Sequence, residues 1–461
     1  GGNLVAEVYG FRADRVEQAQ TDDLEKCLYT ASWEPLRLKG TRIDGGAALP
    51  DPDCLVTAAN EGLQALYDAR GLANHYDQFL PAMEELSRQF IVNAYLDLGW
   101  TPRVGDIITV ERQMRDLMIA DQHAKLVYGQ LTALSEGGFL KPVGEDSWEV
   151  IDIPVREEAL KWVDKLAQQM PEFASEAELQ KLAGPNLAGV LCGELDPLEV
   201  LFPHGSSHVM ERFYREGADF PVINEQIRLA LAAAVKNLPE RRALRVLEVG
   251  AGTGSLTGHI LPAFPPERTE YYFTDNGPSF LQAAQDRFEK DYPFVEYKMF
   301  DCEKSPEAQG FESHYFDIII ASNVIHATSD LRATLGNLRE SLAPDGILMF
   351  LEVTWRRATL DNVFGLLPGW WRFADSDLRE HSALLSRPQW ESLLTELDFR
   401  DVTSFISSPK SEEDQQACLV ARAPLALDAE TDPGDEEPVA SEPETDGSDR
   451  DVLLVTTDAS G

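Results

Sequence analysis

Residues 244 to 254 read Leu-Arg-Val-Leu-Glu-Val-Gly-Ala-Gly-Thr-Gly and lead into the helical stretch from Ser255 to Leu261. The apolar run predicts a buried parallel strand, and glycines at alternate positions predict a tight turn into a helix. Such a corner binds nucleotides, because bare backbone amides and the positive end of the helix face the ligand. A dinucleotide fingerprint would space its glycines as G-x-G-x-x-G. The shorter spacing here predicts a nucleoside cofactor without a pyrophosphate.

Two acids follow later apolar runs at the points where strands are predicted to end. Asp275 ends the run that starts at Tyr271, roughly 20 residues past the turn, where such folds place the ribose ligand. Asp301 ends the next run and is expected to accept the exocyclic amine of an adenine. The cofactor that fits these strand ends is S-adenosylmethionine, with S-adenosylhomocysteine as product. The expected cofactor-binding residues are Glu248, Gly250, Gly252, Gly254, Asp275, Asn276, Asp301, Cys302 and Asn323.

A histidine and a glutamate occupy the ends of the fourth and fifth predicted strands. His326 follows the run 316–322, and Glu352 is an isolated acid in the apolar run 346–354. Such an acid must have a partner or change its protonation. If the two strands are neighbours, Glu352 can orient the His326 ring and raise its basicity, which predicts a general base. The alternatives are a loop histidine that contacts the cofactor and an acid that binds backbone amides.

Several motifs together resemble one enzyme family. They are the glycine turn, Phe-Thr-Asp at 273–275, Ala-Ser-Asn-Val-Ile-His-Ala-Thr at 321–328, Leu-Glu-Val-Thr at 351–354 and Phe-Gly-Leu-Leu-Pro-Gly-Trp-Trp-Arg-Phe at 364–373. The stretch 245–405 resembles the C-methyltransferase domain of polyketide synthases. The resemblance implies an α/β fold, the class I S-adenosylmethionine methyltransferase. Its Rossmann-like sheet has seven strands with the last one antiparallel, and a mainly helical N-terminal lid subdomain precedes it.

The resemblance also implies a reaction, which is methyl transfer to the α-carbon of a β-ketoacyl thioester on an acyl carrier protein. His326 and Glu352 correspond to the base pair that forms the enolate. Tyr214 is expected to lie over the cofactor or to hydrogen-bond the substrate carbonyl, and packing at a domain seam is the alternative. Phe364, Trp370 and Trp371 are expected to line a tunnel for the acyl chain, unless the tryptophans are simply buried hydrophobes.

Composition narrows the possible partners. A formal net charge of -39 over 461 residues argues against nucleic acid and against an anionic membrane. The sequence holds no apolar run of transmembrane length, and no metal site is expected. Its five cysteines are scattered, which is consistent with reduced thiols in the cytoplasm. Arg356 and Arg357 are a candidate basic spot for the acidic carrier protein.

Five segments are predicted along the chain, and both ends are expected to belong to neighbouring domains of the same synthase. They are the end of a dehydratase-type domain and its junction (1–35), the helical, winged-helix-like lid (36–205), the methyltransferase core (206–424), an acidic disordered linker (425–450) and the start of a further domain (451–461). Within the lid, a helix over 123–135 followed by a turn and a β-hairpin is expected. Other domains of the synthase are therefore expected partners.

Two other functions remain open on the sequence alone. An O- or N-methyltransferase for a free small molecule would use the same cofactor corner, with His326 deprotonating a hydroxyl. An inactive spacer would keep the fold without chemistry, and it predicts damage to the glycine turn or to the His326 and Glu352 pair. The sequence shows neither kind of damage.

Overall fold

A computed structural model of the chain describes residues 49–206, 208–236, 238, 242–410 and 414–425. The predicted dehydratase-type end with its junction, the acidic linker beyond residue 425 and the start of the next domain lie outside the described residues. Strands are β1 Ile107–Thr109, β2 Leu140–Gly144, β3 Ser147–Val150, β4 Leu244–Val249, β5 Thr269–Asp275, β6 Val295–Met299, β7 Phe316–Ser322, β8 Leu342–Val353, β9 Arg400–Ile406 and β10 Gln416–Arg422.

The helices divide into two groups along the chain. In the N-terminal half they are α1 Pro52–Ala59, α2 Leu63–Ala69, α3 Leu72–Asn74, α4 Leu80–Asp97, α5 Val110–Leu117, α6 Ala124–Glu136, α7 Ala159–Gln169, α8 Ala174–Ala183, α9 Leu187–Leu191, α10 Pro197–Leu201 and α11 His208–Glu216. Those that accompany the large sheet are α12 Phe220–Lys236, α13 Ser255–Ile260, α14 Pro278–Phe288, α15 Leu331–Ser341 and α17 Arg387–Glu396, while α16 Ala358–Asp361 packs against the helical region.

The large sheet has seven strands in the order β6-β5-β4-β7-β8-β10-β9. Neighbouring strands from β6 to β8 are parallel, while β10 runs antiparallel to β8 and β9. The parallel strands are apolar because helices cover both faces, as in β4, where Val246 and Leu247 belong to different cores. The predicted fold class, with its final antiparallel strand beside the fifth, is confirmed.

The helical region has its own core around a small antiparallel sheet of order β1-β3-β2. Trp148 of β3, Tyr95 of α4 and Trp100 are buried there. The helix and hairpin that the sequence predicts occur as α6 followed by β2 and β3. Within the described residues, no helix combines the length and the apolar character that crossing a membrane requires.

Helix α1 packs against the large sheet although it lies in the range predicted for the lid. Leu55 and Ala59 are fully buried in the same core as Ile223 of α12 and Phe405 of β9. Gln226 of α12 reinforces the contact, because its amide donates to Asn60 Oδ1 at 3.1 Å. The chain therefore contacts the sheet core before it enters the helical region.

Candidate active site

A cavity of about 510 Å³ opens where the helical region meets the carboxyl ends of the parallel strands. Residues of the sheet and of the helical region line it together. They include Gly250, Asp275, Asn323 and His326 from the sheet, and Gln180 and Tyr214 from the helices. The carboxyl edge of an open α/β sheet is the usual ligand site of such folds. The predicted cofactor corner and the predicted base therefore face one space.

The glycine turn follows β4 in a backbone conformation that favours glycine. Gly250, Gly252 and Gly254 have φ angles of +59°, +53° and +68°. A Cβ at Gly250 would lie 2.6 Å from Cγ2 of Val324, and a Cβ at Gly254 would lie 2.8 Å from the Phe288 ring. The turn thus needs glycine both for its conformation and for close packing.

We expect Gly250→Ala to weaken cofactor binding about tenfold or more, because the methyl group collides with Val324 and distorts the cavity wall. Gly310→Ala is the matched control, since Gly310 has a φ of +82° with open space around it and lies outside the cavity. In both variants the free energy of unfolding should fall by roughly 1–2 kcal/mol, because alanine is strained in the left-handed backbone conformation. Calorimetric titration with S-adenosylhomocysteine should separate them, and equal affinities in the two variants would contradict a ligand role for this turn.

Asp275 connects the end of β5 to the glycine turn. Its Oδ2 accepts a hydrogen bond from the Gly252 amide at 2.9 Å, and its Oδ1 accepts one from the Gly277 amide at 2.7 Å. Each carboxylate oxygen has a second lone pair, so Asp275 can still accept hydrogen bonds from a ribose diol. Asn276 lies next to it in the cavity wall.

Asp301 and Cys302 line the cavity beyond β6. The Asp301 carboxylate accepts a hydrogen bond from the Glu303 amide at 3.1 Å and contacts Lys304 Nζ at 2.9 Å. Burial, assisted by the charge of Asp301, raises the pKa of the Cys302 thiol to about 12, so the thiol stays neutral. No group of three or more metal-ligating side chains occurs in the described ranges.

Asn323 indicates that the cavity is built for a polar ligand. It has a φ of +55°, and its backbone N–H donates to Leu351 O at 2.7 Å. Its side-chain Oδ1 and Nδ2 are buried in the cavity wall, and neither has a hydrogen-bond partner among the described residues. Unpaired buried amides are costly unless a ligand satisfies them. A nucleoside cofactor fits this donor and acceptor set.

The structure places Glu248 away from the cavity, which corrects its prediction as a cofactor ligand. The side chain is 2% exposed, accepts hydrogen bonds from Thr257 Oγ1 at 2.8 Å and Tyr271 Oη at 2.6 Å, and does not line the cavity. Burial raises the pKa of Glu248 to about 7. The physical reason is strand alternation, since Glu248 shares the face of Val246, which helices cover. Through these bonds Glu248 connects β4 to α13 and β5 on either side of the glycine turn.

His326 and Glu352 meet as predicted from adjacent strands. β7 and β8 are parallel neighbours, with Ser322 opposite Leu351, and His326 lies in the 3₁₀ turn that follows β7. Glu352 Oε2 contacts His326 Nδ1, while Oε1 accepts a hydrogen bond from the Ile325 amide at 2.8 Å. Glu352 is fully buried and His326 is 6% exposed at the cavity wall. Glu352 therefore both fixes the turn and engages one ring nitrogen.

A buried arginine that the sequence analysis missed holds the same turn. Arg379 is 1% exposed and donates to His326 O at 2.8 Å and to Thr328 O at 2.9 Å. It also forms a two-pronged ion pair with Asp375, whose Oδ2 accepts from the Leu331 amide at 2.9 Å. The pair lies in an irregular segment, so no periodic pattern could have indicated it.

We expect Arg379→Met to lower the free energy of unfolding by about 3–5 kcal/mol, because it leaves the Asp375 carboxylate buried and unpaired. Arg332→Met is the matched control, since Arg332 pairs with Asp377 and Glu396 at the surface, where ion pairs contribute about 0–1 kcal/mol. Urea titration of both variants checks this. Equal losses would show that the Arg379 pair carries no more stability than a surface pair.

Tyr214 lies in the cavity wall contributed by α11. Burial, and after it the negative charge of Glu352, raises the pKa of Tyr214 to about 12. The ring packs against Phe213 and Phe220, with centroid distances of 5.3 Å to each. The hydroxyl therefore keeps its proton at neutral pH, and the negative charge of Glu352 contributes to this.

The aromatic residues after β8 divide between two roles. Trp370 contacts His326 edge-on at 5.3 Å between ring centroids and stacks on Phe364 at 5.7 Å, and all three line the cavity. Trp371 does not line it, which corrects its predicted substrate contact. Its Nε1 donates to Gly365 O at 2.7 Å and its ring packs in the helical core, because the 3₁₀ turn sends the two indoles in different directions.

Arg356 and Arg357, which were predicted as a docking spot for the carrier protein, do not form an exposed basic patch. Arg356 Nε donates to Asp361 Oδ2 at 2.8 Å, and Asp361 is 4% exposed. Arg357 lines the cavity. Neither guanidinium is a free surface cation, so the predicted docking role is not supported.

Comparisons with known proteins agree on one group of relatives. A sequence family described as "Methyltransferase domain" matches residues 247–348. The citrinin polyketide synthase of Monascus ruber is 31% identical over 389 residues, which make up 82% of this chain and only 14% of that protein. The solved CurJ carbon methyltransferase is 35% identical with a TM-score of 0.75, covering 80% of this chain and 99% of that one. The CMeT domain of the citrinin polyketide synthase is 29% identical with a TM-score of 0.72, at 83% and 100% coverage.

Proposed function

Because this chain belongs to the S-adenosylmethionine-dependent carbon methyltransferase domains of polyketide synthases, we propose that it methylates the α-carbon of a β-ketoacyl thioester carried by an acyl carrier protein. The observation that carries the proposal is His326, which contacts the buried Glu352 and lies in the wall of the cavity that Gly250 of the glycine turn also lines. A carbon nucleophile must be made by removing a proton, so its methylation requires a base.

The glycine turn, Asp275 and Asn323 would hold the cofactor, which supplies an electrophilic methyl group when bound. Asp275 is already fixed by the Gly252 and Gly277 amides, so its orientation costs little on binding. The unpartnered amide of Asn323 would gain the hydrogen bonds that the described protein groups do not provide. Asn276, Asp301 and Cys302 would complete the wall around the nucleoside.

His326 would take the α-proton on Nε2, because Nδ1 is engaged by Glu352. The carboxylate favours the tautomer with hydrogen on Nδ1 and stabilises the imidazolium that forms when Nε2 accepts the proton. Arg379 and the Ile325 amide fix the backbone around the ring, so little reorganisation is needed. The site thus supplies a base that is oriented before the substrate arrives.

Tyr214 would stabilise the enolate oxygen. A phenol whose pKa is about 12 keeps its proton at neutral pH and can donate a hydrogen bond to an oxygen that gains negative charge. Trp370 and Phe364 form an apolar wall beside His326, which would exclude water and leave room for the acyl chain. We also propose that the acyl carrier protein and the neighbouring synthase domains are partners of this chain and that it acts in the cytoplasm.

Incubation of the protein with S-adenosylmethionine and acetoacetyl-loaded carrier protein, followed by mass spectrometry and proton NMR of the released acid, tests the proposal. We expect one or two methyl groups on the carbon between the two carbonyl groups. A methyl group on oxygen would instead favour the O-methyltransferase alternative. A folded protein that binds the cofactor and adds no mass to any acyl thioester would favour the inactive spacer.

A further inference from the structure

A second set of polar side chains lines the same cavity on the side of the helical region and β10. We call it the distal polar cluster, and it consists of His75, Gln180, Arg357, Gln415 and Gln416. These residues come from distant parts of the chain. None of them belongs to the cofactor corner or to the base pair described above. Polar groups that converge on a cavity in this way usually recognise a ligand.

Two fully buried members have polar atoms without a partner among the described residues. Gln180 is 0% exposed and donates to Thr359 O at 2.7 Å, but its Oε1 accepts no hydrogen bond. His75 is 2% exposed, and its Nε2 is held by Glu176 at 3.0 Å while Nδ1 has no partner. Leaving such atoms unpaired costs free energy, and a native protein accepts that cost mainly where a ligand or water binds.

The other members add both donors and an acceptor. Arg357 Nε and Gln416 Nε2 are buried donors, and Gln415 Oε1 is a buried acceptor, each without a partner in the described part of the chain. Gln416 lies opposite Val353 where β10 pairs with β8, one residue from Glu352. The cluster therefore borders the reaction site and continues away from it into the helical region.

The mixture of donors and acceptors argues against an anionic ligand. Gln180 Oε1 and Gln415 Oε1 can only accept hydrogen bonds, and an anion has none to donate. The carboxylates of Glu176 and Asp219 line the same cavity and would repel a negative charge. A neutral group that both donates and accepts hydrogen bonds can pair with both kinds of atom in the cluster, which an anion cannot.

We propose that the distal polar cluster is a subsite for a neutral hydrogen-bonding group of the thioester substrate, a secondary amide or a hydroxyl, at a distance from the carbon that is methylated. The proposal rests on the proposed function, because it assumes an acyl thioester as ligand. Two parts of such a substrate carry this chemistry. One is the pantetheine arm with its amides, and the other is an acyl chain with a hydroxyl beyond the β-carbon.

Binding measurements with S-adenosylhomocysteine present, so that no methyl is transferred, test the subsite separately from catalysis. The first pair of probes is acetoacetyl-pantetheine and the acetoacetyl thioester of N-acetylcysteamine, which differ in the length of the arm. The second pair is the N-acetylcysteamine thioesters of β-ketohexanoate with and without a δ-hydroxyl. We expect the native protein to bind the more polar probe of one pair about tenfold more tightly, as one or two neutral hydrogen bonds allow.

Gln180→Leu and Arg357→Met should each remove most of that preference. Two variants are used because Gln180 also bonds to Thr359 O, and its loss could unfold the protein. Gln113→Leu is the matched control, since Gln113 is 3% exposed, has an unpartnered Nε2 and does not line the cavity. It should keep the preference of the native protein.

The pair of probes whose preference disappears in both variants identifies the source of the ligand group. Equal affinities within both pairs in the native protein would overturn the subsite, and so would a preference that survives both substitutions. Turnover with S-adenosylmethionine is measured in parallel. A protein that binds the probes with the expected preference but methylates none of them would overturn the proposed function and leave the subsite standing.

Discussion

We expect the replacement of His326 by alanine to lower methyl transfer by about 10²–10⁴-fold while S-adenosylhomocysteine still binds with near-native affinity. The loss is expected because Nε2 of His326 is the ring nitrogen left for the substrate once Nδ1 is bound to Glu352. The residues proposed to hold the cofactor follow β4, β5, β6 and β7, and the bond of the His326 ring is to Glu352 and not to any of them, so we expect them to keep their positions in this variant. Mass spectrometry of the acyl product measures the first quantity, and calorimetry measures the second.

His381→Ala is the matched control for this experiment. His381 stacks on Tyr128 at 3.9 Å between ring centroids and lies outside the cavity, so both turnover and affinity should stay near their native values. Exchange of the substrate α-proton with deuterated water, measured above the uncatalysed background with S-adenosylhomocysteine present, should also disappear in His326→Ala. Near-native turnover in that variant would reassign His326 to cofactor packing.

Glu352→Gln is expected to lower turnover by about 10²-fold or more, although it barely changes the shape of the side chain. Oε1 of Glu352 accepts a hydrogen bond from the Ile325 amide at 2.8 Å, so the carbonyl oxygen of a glutamine would take that place. Its NH₂ group would then face Nδ1 of His326 as a donor. Nδ1 would have to accept, the ring proton would move to Nε2, and Nε2 could no longer take a proton from the substrate.

Glu84→Gln is the control, because Glu84 also binds backbone amides but touches no histidine. Its carboxylate accepts from the Ala358 amide at 2.9 Å and from the Thr359 amide at 3.1 Å at the start of α16. That variant should keep near-native turnover. Single-turnover kinetics with acetoacetyl carrier protein compare the two, and matching rates in both variants would show that Glu352 only stabilises the turn.

The sequence predicted the residues that depend on neighbouring strand ends. Parallel strands bring their carboxyl ends to one edge, so the apolar runs predicted a shared edge for Asp275, Asp301 and His326, while the strand order followed from the family resemblance. Proximity to the glycines is a poor guide for Glu248, because strand alternation puts its side chain on the helix-covered face with Val246. No pattern distinguishes the adjacent Trp370 and Trp371, and of the two only Trp370 lines the cavity.

Other parts of the site depend on contacts that no local pattern records. Arg379 holds the carbonyl of His326 from 53 positions away, within an irregular segment. Gln180 and Gln416 share one cavity only because the helical region folds against β10 and β8. These side chains occur in ordinary helical and strand patterns, so their common location becomes visible only in three dimensions.

The packing of α1 has a consequence for attempts to recombine such synthases. Since Leu55 and Ala59 belong to the core of the sheet together with α12, the helical region leaves that core after α1 and rejoins it at Phe220. The helical region is therefore an insertion that is connected to the sheet domain at two points. A chimera with a single junction inside this insertion would combine the sheet of one synthase with the α1 of another. We expect chimeras to need junctions after Ala59 and before Phe220, so that the sheet keeps both of its flanking helices, and to need the matching segment 358–371 as well, because Ala358 and Leu366 are buried in the core of the helical region.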